Sequence, residues 1–254
     1  MWLRSSGLPY ACPRMYALSR YHREPLDGDV DSELAWIFGT GTAIHSHWQE
    51  EYLPTLGDVF QGWWIDPHGE IVQGDTLEGP LSHSWIPRPT RQCRYAELEF
   101  REPRLRLTGH CDGILCWPGE EPEVLELKTI GERGFAYVDG SVGHPPRAEH
   151  IMQVHAYMMF TGLSRSRIVY IRKGLDNKIR DCLSEHVIHR DDQIVAMIED
   201  MIRQCVDAID GPLDSLSPIE ALLWVDQWQR LDECDTKRAR RAINCTMRER
   251  CFAK

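Results

Sequence analysis

The stretch from Leu105 to Lys128 constrains this chain more than any other. Leu105, Leu107, Gly109 and Cys111 alternate with Arg106, Thr108, His110 and Asp112, a turn follows over Pro118-Gly119, and Val124-Leu125-Glu126-Leu127-Lys128 comes next. A period of two is that of a β-strand, where residues two apart share a face. Glu126 and Lys128 therefore project together, while Leu125 and Leu127 go into a core. If the two strands are neighbours, Asp112 comes close to Glu126, and two carboxylates converge beside an ammonium. Hard divalent cations such as Mg²⁺ prefer oxygen sites of this kind. A metal there can hold a phosphate oxygen and lower the pKa of a bound water, and a lysine can orient that water or stabilise developing charge. The same triplet also occurs on ordinary charged strand faces.

The surrounding residues add to the pattern. Gly109 and Gly113 flank Asp112, which permits close backbone or ligand approach. The segment from Asp31 to about Leu53 reads as a helix with Leu34, Ile37, Phe38, Ile44, Trp48 and Tyr52 at helical spacing; it carries His45, a further metal ligand or a structural histidine. Gly39 and Gly41 could break it. Residues His150 to Phe160 read as a helix on which Gln153 and Tyr157 share one face. Strands are expected at Arg167–Arg172 and up to His189, with a turn over Gly174–Lys178. Asp191 should cap a helix running to about Ile209, with Ile194, Ile198, Met201, Ile202 and Cys205 inward. The region 54–92, rich in Gly, Pro and aromatics, reads as an insertion or elaborated loop with a hairpin around Asp66-Pro67-His68-Gly69. From Pro218 the chain reads as helical.

Composition bounds the rest. The 254 residues can bury a sizeable core in one domain, and no apolar run is long enough to cross a bilayer. The first residues carry no apolar leader, so a cytoplasmic protein, prokaryotic or from a phage-infected host cell, is expected. Nine scattered cysteines point to free thiols or metal ligation rather than a disulfide framework. The net charge of −10 argues against a broad nucleic-acid face and is compatible with a narrow basic channel. Arg14, Arg20 and Arg23, and the run Lys237, Arg238, Arg240, Arg241, Arg248 and Arg250, are either solvated helix faces or parts of such a channel.

In this order, Gly-x-x-x-His (Gly41 to His45), Gly-His-Cys-Asp-Gly (109–113), Glu-Leu-Lys (126–128) and Gln-x-x-x-Tyr (153–157) resemble the RecB-like branch of the PD-(D/E)xK nucleases. The resemblance covers roughly residues 39–160 and continues into the following strands; Cys111 stands where the family name has proline. It implies an α/β fold, a restriction-endonuclease-like core of mixed β-sheet flanked by helices, forming a single nuclease domain over 1–254. It implies that His45, Asp112, Glu126 and the Leu127 carbonyl ligate Mg²⁺ or Mn²⁺, that Lys128 assists the hydrolytic water, and that Gln153 and Tyr157 support the site or touch DNA. The substrate would be DNA, as single strands or duplex ends, cut by an exonuclease working with a helicase, recombinase or other replication or repair partner.

Cys12, Cys234, Cys245 and Cys251 could be four unrelated thiols, since no tight Cys-x-x-Cys is present, or one closed site. Cas4-like exonucleases resemble this chain in having one early cysteine, in a Cys-Pro-Arg setting like Cys12-Pro13-Arg14, and three late ones. That resemblance implies a [4Fe–4S] cluster, with Zn²⁺ second, in a cap made of residues 1–24 and 218–254. The five-residue gap from Cys245 to Cys251 matches; the ten residues before Cys245 are more than the family has there. Rival readings are a Cas4-like spacer-processing nuclease, a structure-selective endonuclease, and a non-catalytic DNA-binding scaffold holding a metal cluster. Cys93, Cys111, Cys116, Cys182 and Cys205 read as core or strand residues.

Overall fold

The computed structural model describes residues 2–26, 31–72, 85–139, 145–173, 182–231, 234 and 245–252. In chain order the strands are β1 (Leu3–Arg4), β2 (Phe60–Gln61), β3 (Trp63–Ile65), β4 (Ile71–Val72), β5 (Arg94–Ala96), β6 (Leu98–Glu102), β7 (Leu107–Cys111), β8 (Gly113–Leu115), β9 (Glu123–Ile130), β10 (Arg165–Arg172) and β11 (Leu183–His189). The helices are α1 (Pro13–His22), α2 (Ser32–His47), α3 (Glu132–Val138), α4 (Ala148–Thr161), α5 (Asp192–Asp210), α6 (Pro218–Asp226) and α7 (Arg248–Cys251).

β9 organises the molecule. It lies in the middle of a mixed sheet ordered β11-β10-β9-β8-β2, parallel to β10 and antiparallel to β8. Both of its faces are covered, as expected for a central strand with a near-continuous apolar run. Leu125 and Leu127 pack with Phe60 and Trp64, and Ile44 and Trp48 from the helical segment of α2 and its continuation add to that layer. Val124 and Ile130 pack on the other face with Phe135 of α3 and Val154, Tyr157 and Met158 of α4. The face bearing Glu126 and Lys128, read from the sequence as projecting away from the core, is thus itself roofed by α4. The α/β class with helices on both sides of the sheet is what the structure shows.

A second sheet, β1-β7-β6, joins the first through Asp112, where the chain leaves β7 and enters β8. Gly113 makes this passage at φ +154°, and a Cβ there would stand 2.4 Å from the Phe60 ring, so only glycine fits. A third sheet, β4-β3-β5, contains the expected hairpin, with Trp64 opposite Val72 and the Asp66 carboxylate accepting from the amides of His68 and Glu70. Residues 54–72 therefore supply an edge strand of the main sheet as well as this hairpin.

α5 begins at Asp191, whose side chain accepts from the Gln193 amide at 2.8 Å. Ile198, Ile202 and Cys205 recur at helical spacing and pack with Ala156 of α4 and with Leu3, Leu8 and Ala11 of the N-terminal segment. Full burial of each isoleucine contributes about 1.5–3 kcal/mol. α6 starts with a capping box between Ser217 and Glu220.

Three expectations change. α2 is unbroken at Gly39 and Gly41, but its first turns are not apolar core: Trp36, Ile37 and Phe38 are exposed, the first at 76%. Helical spacing reports a helix there but not what covers it, and among the described residues no second layer covers these three side chains. Arg14 and Arg20 form no open basic face. Arg14 donates to the Val225 and Trp228 carbonyls and pairs with Asp226, and Arg20 donates to the Gly211 carbonyl and pairs with Asp214. They tie α1 to the chain that follows α5. The turn at 174–178 and the basic residues 237–241 lie outside the described residues. Among those described, no helix is long and apolar enough to cross a membrane.

Candidate active site

Asp112 is the hub. It is 5% exposed, and each of its carboxylate oxygens is held. Oδ2 accepts from the Leu127 amide at 2.7 Å, and Oδ1 accepts from Gln49 Nε2 at 2.8 Å and lies 3.3 Å from His45 Nδ1. The backbone is held as well: the Asp112 amide donates to the Leu125 carbonyl (3.2 Å), and Tyr95 OH donates to the Asp112 carbonyl (2.6 Å). Asp112 thereby sits against the edge of β9, where the sequence required it if Glu126 was to be its neighbour.

From β9, Glu126 Oε1 is 2.5 Å from Lys128 Nζ. That ammonium also donates to Gln153 Oε1 at 2.9 Å, and Gln153 Nε2 donates to Tyr157 OH at 2.6 Å. The chain Glu126–Lys128–Gln153–Tyr157 runs from the sheet onto α4, and Ser5 ends it by hydrogen-bonding the Tyr157 hydroxyl. Gly109 makes room for this contact: a Cβ on it would lie 2.4 Å from Ser5 Oγ and 2.9 Å from Tyr157 Cε1.

Burial drives the electrostatics. It pushes the Glu126 carboxyl up to about 7, against the lowering effect of the Lys128 charge and with the Asp112 charge adding to the rise. Burial works against the Lys128 ammonium and the His45 imidazolium, but neighbouring carboxylates outweigh it, so both hold their protons above the usual range: Glu126 for the lysine, Asp112 for the histidine. Among the described residues, Glu126 Oε2 is buried without a hydrogen-bond partner, a costly arrangement for a carboxylate oxygen.

The structure thus brings His45, Asp112, Glu126, Leu127, Lys128, Gln153 and Tyr157 to one place. The sequence reading missed Gln49, Ser5 and Tyr95. Gln49 had a signal, standing four residues after His45 on one helix. Nothing local marked Ser5 or Tyr95, whose partners are far along the chain. Beside the site a cavity of about 730 Å³ is lined by Arg4, Ser5, Glu97, His110, Gln153 and Tyr157, among others.

Cys93, Cys111, Cys182 and Cys205 are buried and Cys116 is half-buried, whereas Cys12, Cys234, Cys245 and Cys251 all line one cavity of about 590 Å³. Burial raises the Cys12 thiol, and Cys245 and Cys251 are near enough to add to that rise. Among the described residues, no three His, Cys, Asp or Glu side chains stand close enough together to hold a metal ion as they are.

No protein-family model matches the chain, and no curated protein matches it significantly in sequence. Solved structures do resemble it. An alkaline exonuclease (LHK-Exo) from Laribacter hongkongensis superposes with a TM-score of 0.50 at 15% identity, over 87% of this chain and 94% of that one. The same exonuclease in complex with dAMP gives 0.50 at 16% identity over the same shares. A phage-related exonuclease from Haemophilus somnus gives 0.46 at 12% identity, over 85% and 97%. The chain therefore shares the overall fold of the Laribacter exonuclease, nearly end to end.

Proposed function

We propose that this chain is a divalent-metal-dependent DNA nuclease of the PD-(D/E)xK type, acting as an exonuclease on single-stranded or frayed ends. One observation carries the reading: the carboxylates of Asp112 and Glu126 are buried side by side with the half-buried Lys128 against them, and among the described residues Glu126 Oε2 has no hydrogen-bond partner. Two buried carboxylates sharing one ammonium are a poor source of fold stability, and a divalent cation among their oxygens would offset the repulsion between them. The donor set suits Mg²⁺ or Mn²⁺, being carboxylate oxygens with one imidazole. As they stand these side chains are not close enough to share an ion; drawn together, His45, Asp112, Glu126 and the Leu127 carbonyl would hold it, and it would supply Lewis acidity toward a phosphate oxygen and an acidified water.

The residues of the chain do the rest. Gln153 and Glu126 fix the Lys128 ammonium at two points. From there it can orient a water toward phosphorus and stabilise the charge that builds on the phosphate oxygens. Tyr157 and Ser5 keep Gln153 from turning away. The neighbouring cavity of about 730 Å³ is within the size range of small-ligand pockets and roomy enough for a terminal nucleotide. The fold shared with the Laribacter exonuclease supports the same class of reaction.

The cysteine-lined cavity is read as the seat of a [4Fe–4S] cluster bound by Cys12, Cys234, Cys245 and Cys251, which would join the two ends of the chain. The donor chemistry fits; binding would draw the four thiols in from the cavity wall. Iron and sulfide analysis of anaerobically purified protein should find about four of each per chain, and Cys251→Ala should lose them. Colourless protein containing zinc instead would reject the cluster.

The main test is digestion of end-labelled single- and double-stranded DNA with Mg²⁺ or Mn²⁺. Glu126→Ala and Lys128→Ala should abolish cleavage while the protein stays folded. Undiminished cutting by the Glu126 variant sinks the assignment, and a folded wild type that binds DNA without cutting it favours the scaffold reading.

A further inference from the structure

At its C-terminal end α2 does not stop but widens into a π-helical turn over Trp48–Tyr52. Single π turns inside helices are uncommon and need outside support for their loosened backbone groups. Arg88 gives it here. Its Nη1 donates to the Glu50 carbonyl at 2.5 Å, its other nitrogens bond the Thr90, Arg91 and Cys93 carbonyls, and its guanidinium lies over the Trp64 ring at 5.4 Å. A π turn takes up more residues per revolution than an α turn. Gln49 lies within this turn, four residues after His45, and both side chains reach the same oxygen of Asp112.

Gln49 is 4% exposed, and its Nε2 donates to Asp112 Oδ1 at 2.8 Å. With the Leu127 amide on Oδ2, it fixes the plane of the carboxylate. By meeting Oδ1, which His45 also approaches, it leaves lone-pair capacity on Oδ2 beside the Leu127 amide, because a carboxylate oxygen accepts more than one bond. We propose that Gln49 is a positioning residue for the metal ligand Asp112, held in place by the Arg88-supported π turn. This rests on the nuclease reading above. Its physical content is that an oriented carboxylate needs no rearrangement when the cation arrives; without the amide it is free to swing onto Lys128 or His45.

Removing the outer partner of a metal ligand typically weakens metal binding about 10–100-fold. The test uses the full chain, stripped of metal and titrated with Mn²⁺ while free ion is followed by electron paramagnetic resonance. Gln49→Met preserves volume and deletes the donor, and Gln49→Ala covers the case in which the thioether disturbs packing. Both should bind Mn²⁺ about 10–100-fold more weakly than wild type, melt within a few degrees of it, and lose kcat with little change in KM for DNA. Wild-type Mn²⁺ affinity in a folded Gln49→Met or Gln49→Ala protein overturns the role of Gln49 alone. No Mn²⁺ binding by the wild type, or unchanged binding by Asp112→Asn, overturns the nuclease reading and this inference with it.

Discussion

Replacing Gly109 by alanine should damage the site and the fold together. The new methyl carbon would stand 2.4 Å from Ser5 Oγ, 2.9 Å from Tyr157 Cε1 and 3.0 Å from Ser5 Cβ. The backbone that carries these atoms is held: Ser5 and Tyr157 are each 1% exposed, Leu3 and Arg4 are paired to Leu107 and Thr108, and Leu8 is fully buried, so relief can come only from side chains turning toward the neighbouring cavity at the cost of their hydrogen bond. Overpacking of this kind costs about 1–3 kcal/mol. In a chain of this size that is a fall in Tm of about 2–12 °C. The Ser5–Tyr157 hydrogen bond should go too, loosening Gln153 and then Lys128, so cleavage should fall more steeply than stability. The assay is thermal denaturation by circular dichroism in metal-free buffer, run beside the cleavage assay. Ser5→Gly removes two of the three clashing atoms, so the double variant should melt above the sum of the single effects by about 0.5–3 kcal/mol of coupling. A Gly109→Ala protein that melts and cuts like wild type would refute the packing argument, as would strict additivity in the cycle.

Two further outcomes follow from the same geometry. Lys128→Met leaves Glu126 buried without its cation; since Lys128 keeps 21% of its side chain exposed, a loss near the lower end of the about 3–5 kcal/mol for breaking a buried pair is expected in urea denaturation, and an unchanged midpoint would contradict it. His150 hydrogen-bonds Tyr170 OH at 2.8 Å, and burial, with Lys128 and Arg147 adding, lowers its pKa to about 3. Its folded value lies below its unfolded one, near 6.5, so the unfolded chain binds the extra proton and this residue costs stability as pH falls from about 6.5 toward 3. His150→Phe should therefore lose less stability between pH 7 and pH 5 than wild type does; equal losses would exclude the mechanism.

What the sequence made legible was local. Alternation through β7 and β9, the cap at Asp191 and the turn at Asp66–Gly69 are set by neighbours in the chain, and each formed as read. The convergence of Asp112 on Glu126 was legible only conditionally, because it depends on β8 pairing with β9 and on the kink at Gly113. What stayed hidden was set by partners far away. Ser5 meets Tyr157 across 152 positions because β1 pairs with β7. Arginines that read as a basic surface turned out to be tethers, a distinction that rests on carbonyls of Gly211, Val225 and Trp228 which no pattern near Arg14 or Arg20 announces.

Glu126→Gln separates a site kept for chemistry from one kept for stability. Among the described residues the carboxylate has an unpartnered buried oxygen, stands near the Asp112 charge, and has its ion-paired contact with Lys128. Glutamine retains an oxygen for that contact and discards a charge that burial and Asp112 already disfavour, and the ammonium left behind keeps 21% of its side chain in solvent and its bond to Gln153. In the presence of EDTA the variant should therefore melt no lower than wild type. Adding Mn²⁺ should divide the two. A ligand at a hundred times its Kd stabilises the folded state by about 2.7 kcal/mol, a rise of about 5–11 °C in a chain of this size; wild type should show it and Glu126→Gln should not. If both proteins gain equally, the ion binds elsewhere, and Glu126 is an awkward structural carboxylate. If the variant melts far lower in EDTA, its charge was holding the sheet together, and the case that this cluster exists to receive a cation loses its footing.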